Sequence, residues 1–185
     1  MKFSIQREKL LLPITQVVGV VERRQTLPVL ANFLISTRGG QLSVTGTDME
    51  VELITRVDAD VEAEGEVTVP ARKLVDIVRM LPDGVKITAV LEGDKLTVSS
   101  GRGRYTLSTL PATEFPATDT VETLEIVKIQ EDVLKNLLEK TSFAMANQDV
   151  RYYLNGLLFD FHDSELSTVA TDGHRLAICD LDEDL

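Results

Sequence analysis

The hydrophobic positions along the chain change their spacing several times, and each change predicts a new element. Residues 1–6 alternate between apolar and polar side chains, which predicts a half-buried strand. Residues 7–21 carry apolar side chains at helical spacing, which predicts an amphipathic helix despite Pro13 near its second turn. The same signals predict further strands over 30–37, 41–45, 49–53, 66–69, 85–91, 95–98 and 104–110, and a helix over 70–81. We therefore expect an α+β fold made of two β-α-β-β-β halves.

The second part of the chain repeats the first at a fixed offset of 124 positions. This offset places Ile129 on Ile5 and Thr171 on Thr47, and the apolar positions between them recur in the same frame. Self-similarity at a fixed period is typical of a repeated structural unit. The repeat predicts a strand over 124–130, a helix over 131–145, and strands over 151–161, over 166–171 and from near residue 174.

The repeat also predicts the domain organisation. Residues 111–123 are rich in Pro and Thr and show no periodicity, which predicts a linker. We expect a complete domain over residues 1–120 and the first half of a second domain over residues 124–185. Because a chain that ends inside a repeat leaves unpaired strand edges, truncation at Leu185 is favoured over a natural terminus.

Composition and charge limit the class of protein. The 185 residues are 43% hydrophobic and 26% charged, as in ordinary globular domains, and no long apolar run predicts a leader or a membrane span. We expect a cytoplasmic protein without membrane contact. The formal net charge of −11 argues against a protein that coats DNA by bulk attraction, although a basic face on an acidic body remains compatible with it.

Few residue patterns in the chain predict chemistry. Asp48, Glu50 and Glu52 alternate along a predicted strand, and a solvated acidic face is favoured over a metal site for them. The lone Cys179 excludes an internal disulfide and is more typical of an inert buried thiol than of a nucleophile. A small hydrolase that uses Asp172, His174 and Cys179 remains the alternative from the enzyme class.

Six segments of the chain resemble one known family. They read TLPVLANFL, TGTDMEVEL, VPARKL, LSTLPATEFP, QDVRYYLNG and VATDGHRLA. In this order they resemble the bacterial sliding clamps, the beta subunits of the DNA polymerase III holoenzyme. The resemblance implies the DNA-clamp fold, in which helices line the inner face and antiparallel sheets lie outside. Family members have three such domains, and this sequence resembles the first and half of the second, with no third domain.

The resemblance also implies a function and partners. Two full-length family members close head to tail into a homodimeric ring around double-stranded DNA, which keeps the replicative polymerase processive. Polymerase and clamp-loader subunits bind through short peptide motifs. The expected protein is thus non-catalytic and needs no cofactor, and a chain without the third domain is not expected to close a ring. A clamp-derived fragment that binds or regulates clients without encircling DNA is the alternative.

Three sets of site residues follow from the resemblance. DNA contact is assigned to Arg24, Arg72, Gln148, Tyr152 and Tyr153. The groove for client peptides is assigned to Leu154, Thr171, Gly173, His174, Arg175 and Leu176. One side of the subunit interface is assigned to Lys73, Lys95, Arg102, Arg104, Tyr105 and Leu107. No catalytic residue and no metal ligand is implied.

Two of these assignments are connected with structural predictions. Arg24 and Gln148 are related by the repeat, and each follows the first helix of its unit, although helix capping is the purely structural alternative for Arg24. Tyr152 and Tyr153 fall in a predicted strand. Because adjacent strand residues face opposite ways, we expect one of the two tyrosines in the core.

Overall fold

A computed structural model of the chain describes residues 1–21, 27–116, 127–162 and 165–181. The chain divides into two compact units, Met1–Thr120 and Val121–Leu185, which we call unit 1 and unit 2. The linker predicted over residues 111–123 lies partly outside the described residues.

Unit 1 contains two antiparallel sheets and two helices. Its elements are β1 Lys2–Gln6, α1 Arg7–Val17, β2 Asn32–Arg38, β3 Gln41–Thr47, β4 Glu52–Asp58, β5 Asp60–Ala63, β6 Gly65–Pro70, α2 Ala71–Met80, β7 Lys86–Glu92, β8 Lys95–Ser100 and β9 Gly103–Ser108. One sheet has the order β4-β3-β2-β6 and the other β5-β1-β7-β8-β9. Helix α1 packs on β3 and β4, while α2 packs on β2 and β6.

The core of unit 1 is shared by both sheets and both helices. Phe3 from β1, Phe33 from β2 and Leu42 from β3 meet Ile14 of α1 and Val78 of α2 in one buried cluster. Each such side chain contributes about 1.5–3 kcal/mol when it leaves water, so the amphipathic stripes of the helices hold the sheets together. The opposite faces of the two helices are exposed and do not contribute to this core.

A second, smaller cluster lies where the chain leaves β9. Val29 and Leu30 pack against Phe115, with Leu34 and Leu110 at the margin. Two backbone hydrogen bonds between Thr68 and Leu110 (3.0 and 3.2 Å) hold this segment on β6. The segment after β9 is therefore attached to β6, an edge strand of the four-stranded sheet.

Unit 2 has one helix on a three-stranded antiparallel sheet. Its elements are α3 Glu131–Thr141, β10 Leu158–His162, β11 Glu165–Thr171 and β12 Leu176–Asp180, with the order β10-β11-β12. Leu137 of α3 and Leu166, Thr168 and Ala170 of β11 are buried between helix and sheet. Every second residue of β11 thus faces the helix, as a half-buried strand requires.

The offset of 124 positions relates the elements of the two units as well as their residues. Arg7–Val17 corresponds to Glu131–Thr141, and Gln41–Thr47 to Glu165–Thr171. The short 3-10 turns Pro28–Ala31 and Tyr152–Asn155 are related in the same way. The sequence repeat therefore reflects a repeat of α-helix, turn and strands in three dimensions.

Several predicted boundaries were wrong. The helix predicted over 7–21 ends at Val17 and continues as the 3-10 turn Val18–Val20, because Gly19 disfavours the helix. The helix predicted over 131–145 likewise ends early, at Thr141. Residues 127–130 form no strand, and residues 124–126 lie outside the described part. The segment predicted as a strand over 151–161 begins with a 3-10 turn, and strand β5 was not predicted. None of the helices in the described ranges is long and apolar enough to cross a membrane.

Candidate functional site

The exposed face of α2 carries most of the positive charge of the helices in unit 1. Arg72, Lys73 and Arg79 are exposed there beside a single acid, Asp76. The Arg72 Nη2 atom donates a hydrogen bond of 2.7 Å to the carbonyl oxygen of Val21. Arg72 is thereby held at the point where α1 and its 3-10 turn end. Arg24, the other predicted DNA contact of unit 1, lies outside the described residues.

Strand β9 lies at the edge of the five-stranded sheet and carries three of the predicted interface residues, while Lys73 lies on α2. Arg102, in the turn before it, and Arg104 are exposed, whereas Tyr105 is partly buried against the core. Leu107 is only 6% exposed and belongs to the core of unit 1. Lys95 is exposed at the start of β8, next to the end of β9. An edge strand presents unpaired backbone groups, so this edge offers both charge and backbone for pairing.

Residues 149–155 of unit 2 form a loop that is closed by polar contacts, and we call it the closed loop. The Arg151 guanidinium binds Asp149 through two contacts, Nε to Oδ1 at 3.0 Å and Nη2 to Oδ2 at 2.8 Å. The hydrogen bonds from the Arg151 side chain and backbone lower the pKa of Asp149 to about 2. The backbone N–H of Asp149 donates to Asn155 Oδ1 (2.9 Å), and Asn155 Nδ2 donates to the carbonyl oxygen of Asp149 (3.0 Å).

The predicted DNA contacts of unit 2 lie on and beside this loop. Tyr152 is 83% exposed and Tyr153 67% exposed, with the two rings edge to face and their centroids 6.0 Å apart. The expectation that one tyrosine packs in the core was wrong, because the pair lies in the 3-10 turn Tyr152–Asn155 and not in a strand. Gln148 is exposed and has a positive φ of 56° just before the loop.

The turn between β11 and β12 contains four of the predicted groove residues. The Thr171 hydroxyl donates to the carbonyl oxygen of Arg175 (2.6 Å) and accepts the N–H of Gly173 (3.0 Å). Asp172 Oδ1 accepts the backbone N–H groups of His174 (2.9 Å) and Arg175 (3.0 Å). The His174 bond is the largest cause that lowers the pKa of the Asp172 carboxyl. These four hydrogen bonds hold the backbone of the turn in place.

The closed loop and the turn meet in space. The Arg151 guanidinium lies against Gly173, where an added Cβ would be 3.4 Å from Nη1. Leu154 is partly buried in the closed loop, three residues after Arg151. Leu176 is exposed at the start of β12, three residues after Gly173. Arg175 lies 5.7 Å from the centroid of the Phe143 ring, a cation–π geometry. The structure thus brings loop and turn together and adds Arg151, which the sequence analysis missed because nothing in the sequence shows its partners.

The alternative of a hydrolase finds no support in this geometry. The Asp172 carboxylate binds the backbone of its own turn and Arg175 Nε (3.0 Å) instead of the His174 imidazole. Cys179 lies opposite Thr168 in the pairing of β11 with β12. It is three residues beyond Leu176, the first residue of β12 after the turn that contains His174, and this spacing is about 10 Å at the usual rise of a strand. Among the residues that the structure describes, no three His, Cys, Asp or Glu side chains are grouped for a metal ion.

Comparison with known proteins gives close matches over both units. Residues 1–119 match the family described as DNA polymerase III beta subunit, N-terminal domain, and residues 128–184 match its central domain. The Beta sliding clamp of Pseudomonas aeruginosa is 56% identical over 183 residues, which cover 98% of this chain and 50% of that protein. The chain therefore spans about half the length of the curated relatives it matches.

Solved structures agree with these matches. A crystal structure of the DNA polymerase III subunit beta from Pseudomonas aeruginosa superposes with a TM-score of 0.96 at 55% identity, over 100% of this chain and 50% of that one. A DNA polymerase sliding clamp from Caulobacter crescentus gives a TM-score of 0.94 at 38% identity, over 100% of this chain and 51% of that one. The resemblance and the clamp fold expected from the sequence are confirmed.

Proposed function

We infer the function from one premise, that the chain belongs to the DNA polymerase III beta subunit family. We propose that it is part of a sliding clamp, a non-catalytic processivity factor of bacterial DNA replication in the cytoplasm. Such a clamp closes around duplex DNA as a head-to-tail dimer and tethers the polymerase. A ring retains DNA by topology, so it needs only modest positive charge on its inner face and is free to slide.

The observation that carries the DNA-binding proposal is the cationic face of α2. On a chain with a formal net charge of −11, this helix places three exposed cations around one acid. Arg72 is the central one, because its bond to the carbonyl of Val21 fixes the guanidinium where the 3-10 turn after α1 ends. In unit 2 we propose Gln148, Tyr152 and Tyr153 as further contacts, which their exposure supports.

The proposed client site is the groove at the closed loop and the turn. It consists of Leu154, Thr171, Gly173, His174, Arg175 and Leu176, to which the geometry adds Arg151. The hydrogen-bonded turn offers a polar edge, while Leu154 and Leu176 offer apolar surface for an anchor residue. Short peptide motifs of polymerase and clamp-loader subunits are the proposed ligands.

The proposed subunit interface is the β9 edge with Arg102 and Lys95 beside it, together with Lys73 of α2. Lys73, Lys95, Arg102 and Arg104 would meet acidic residues of a second subunit, and the exposed part of Tyr105 would lie between them. Leu107 contributes from inside the core, where it supports the strand from behind. Charge pairs of this kind set the register and rate of association more than its affinity.

The DNA proposal is tested by Arg72→Ala, measured by the anisotropy of a labelled DNA duplex over a range of salt concentrations. We expect binding to weaken about 3- to 10-fold at low salt and the salt slope to fall by about one phosphate contact. Arg72→Lys, which keeps the charge, should retain most of the affinity. Arg38→Ala makes the same charge change at an exposed position at the end of β2 and serves as the control. Equal affinities for Arg72→Ala and Arg38→Ala would refute the assignment.

A further inference from the structure

The closed loop carries residues of two proposed sites within one 3-10 turn. Tyr152 and Tyr153 are proposed DNA contacts, and Leu154, the next residue, is a proposed wall of the client groove. We propose that Asn155 is a positioning residue that fixes the orientation of all three side chains. This inference rests on the proposed function, because it concerns how that function's contacts are held in place.

Burial cannot orient the two tyrosines. Their side chains are largely exposed, so their packing supplies little restraint, and their directions follow from the backbone of the loop. Asn155 restrains that backbone directly. It closes a ring of seven residues by binding both backbone groups of Asp149, once as acceptor and once as donor. The exposed side chains therefore depend on a residue that is not itself among the proposed contacts.

The chemistry of the two bonds selects asparagine. A carboxamide has one acceptor oxygen and one donor nitrogen on the same planar group, which matches the N–H and the carbonyl oxygen of one residue. An Asp side chain of the same shape keeps the acceptor but places a second oxygen against the carbonyl oxygen of Asp149. Asn155→Asp thus removes the match with almost no change of volume.

Two further contacts connect this closure to the rest of the site. The N–H of Leu154 donates to the carbonyl oxygen of Arg151 (2.9 Å), and the N–H of Ala146 donates to the carbonyl oxygen of Leu154 (2.9 Å). Arg151 is in turn held by Asp149 and lies against Gly173. Release of Asn155 would therefore loosen Leu154 together with the tyrosines.

The experiment uses the full 185-residue chain labelled with 3-fluorotyrosine and observed by fluorine NMR. The chain has three tyrosines and no tryptophan, so three signals are expected, and Tyr105 in unit 1 is the internal reference. In Asn155→Ala and Asn155→Asp, the Tyr152 and Tyr153 signals should move toward the position of free fluorotyrosine while the Tyr105 signal stays. Asn136→Ala, at an exposed position of α3, should leave all three signals unchanged.

Affinity for a labelled DNA duplex supplies the functional readout. We expect Asn155→Ala to bind about 3- to 10-fold more weakly, the range for the loss of one or two net hydrogen bonds, and Asn155→Asp to bind more weakly still because its added negative charge also repels phosphate. A role in stability alone would lower the melting temperature and leave the affinity of the folded fraction and the fluorine signals unchanged, which would overturn the inference. If Tyr152→Ala and Tyr153→Ala bind DNA as the parent does, the DNA role of the loop fails and the inference fails with it. If they bind more weakly but the Asn155 variants do not, the inference alone is overturned.

Discussion

The repeat provides a matched pair of turns, residues 47–51 and 171–175, which have different residues at their third position. In unit 1, Thr47 Oγ1 accepts the N–H of Met49 (3.0 Å), and Asp48 Oδ1 accepts the N–H of Val51 (2.7 Å). The turn of Thr171 and Asp172 in unit 2 has the same pattern. The third position has a left-handed backbone in both, with φ of 80° at Met49 and 87° at Gly173. Exchange of these residue types should therefore change stability in opposite directions.

The magnitudes follow from the backbone. A residue with a Cβ costs about 1–2 kcal/mol in the left-handed region, and alanine recovers about 0.4–1 kcal/mol by restricting the unfolded chain. The added Cβ at Gly173 would be 3.4 Å from Arg151 Nη1, the end of a side chain that can shift. We expect Gly173→Ala to lower the free energy of unfolding by about 1 kcal/mol. Met49 is 62% exposed and loses little burial, so Met49→Gly should raise the free energy of unfolding by about 0.5 kcal/mol.

The assay is urea denaturation monitored by amide hydrogen exchange, which reports the free energy of unfolding of each unit separately. Gly156→Ala is the control in unit 2, because Gly156 has an extended φ of −128° and no atom within 4 Å of an added Cβ. This control should be neutral or slightly stabilising. If Gly173→Ala were as stable as Gly156→Ala, the left-handed backbone would not decide the choice of glycine, and the reasoning from the repeat would be refuted.

Two further predictions concern unit 2. Leu137→Ala removes a side chain that is 2% exposed and should lower the free energy of unfolding by about 2–5 kcal/mol. Hydrogen-exchange protection should therefore fall in α3 and β11 but not in unit 1. An equal loss of protection in both units would contradict the division of the chain into two units. The pKa of Asp149 is lowered from 3.8 to about 2, so the stabilisation from its ionised form is complete well above pH 3.8 and is lost progressively as the pH falls from there through about 2. A carbon-13 carboxyl titration of Asp149 with a midpoint near 3.8 would show that the Arg151 pair is absent.

The sequence predicted best those elements whose signals are local. Helix α2 was predicted over 70–81 and runs Ala71–Met80, because Pro70 precedes a strong apolar stripe and Pro82 follows it. The repeat offset was equally readable, since α1 and α3 differ by that offset at both ends. In both cases the information lies within a few neighbouring residues or in a comparison of the chain with itself.

The closed loop shows why part of the site could not be predicted. Its aromatic residues favour a strand by propensity, yet residues 152–155 form a 3-10 turn. The bonds that decide this join residues six positions apart, Asp149 and Asn155, and no short-range pattern encodes that choice of partner. The turn at Thr171 was easier to predict, because Asp-Gly is a turn signal. The same signal explains why the strand after it starts later than was predicted.

The two units use one position of the repeat differently, and this difference supports the proposed groove. In unit 1, Leu30 is buried beneath Phe115, which comes from the segment after β9. The corresponding residue in unit 2 is Leu154, which is only partly buried among the described residues. The packing of Phe115 on Leu30 shows that this surface accepts an aromatic anchor, which here follows the 3-10 turn Ala112–Glu114. A surface of the same origin at Leu154, in the loop whose Arg151 lies against Gly173, is therefore suited to an apolar anchor supplied by another chain.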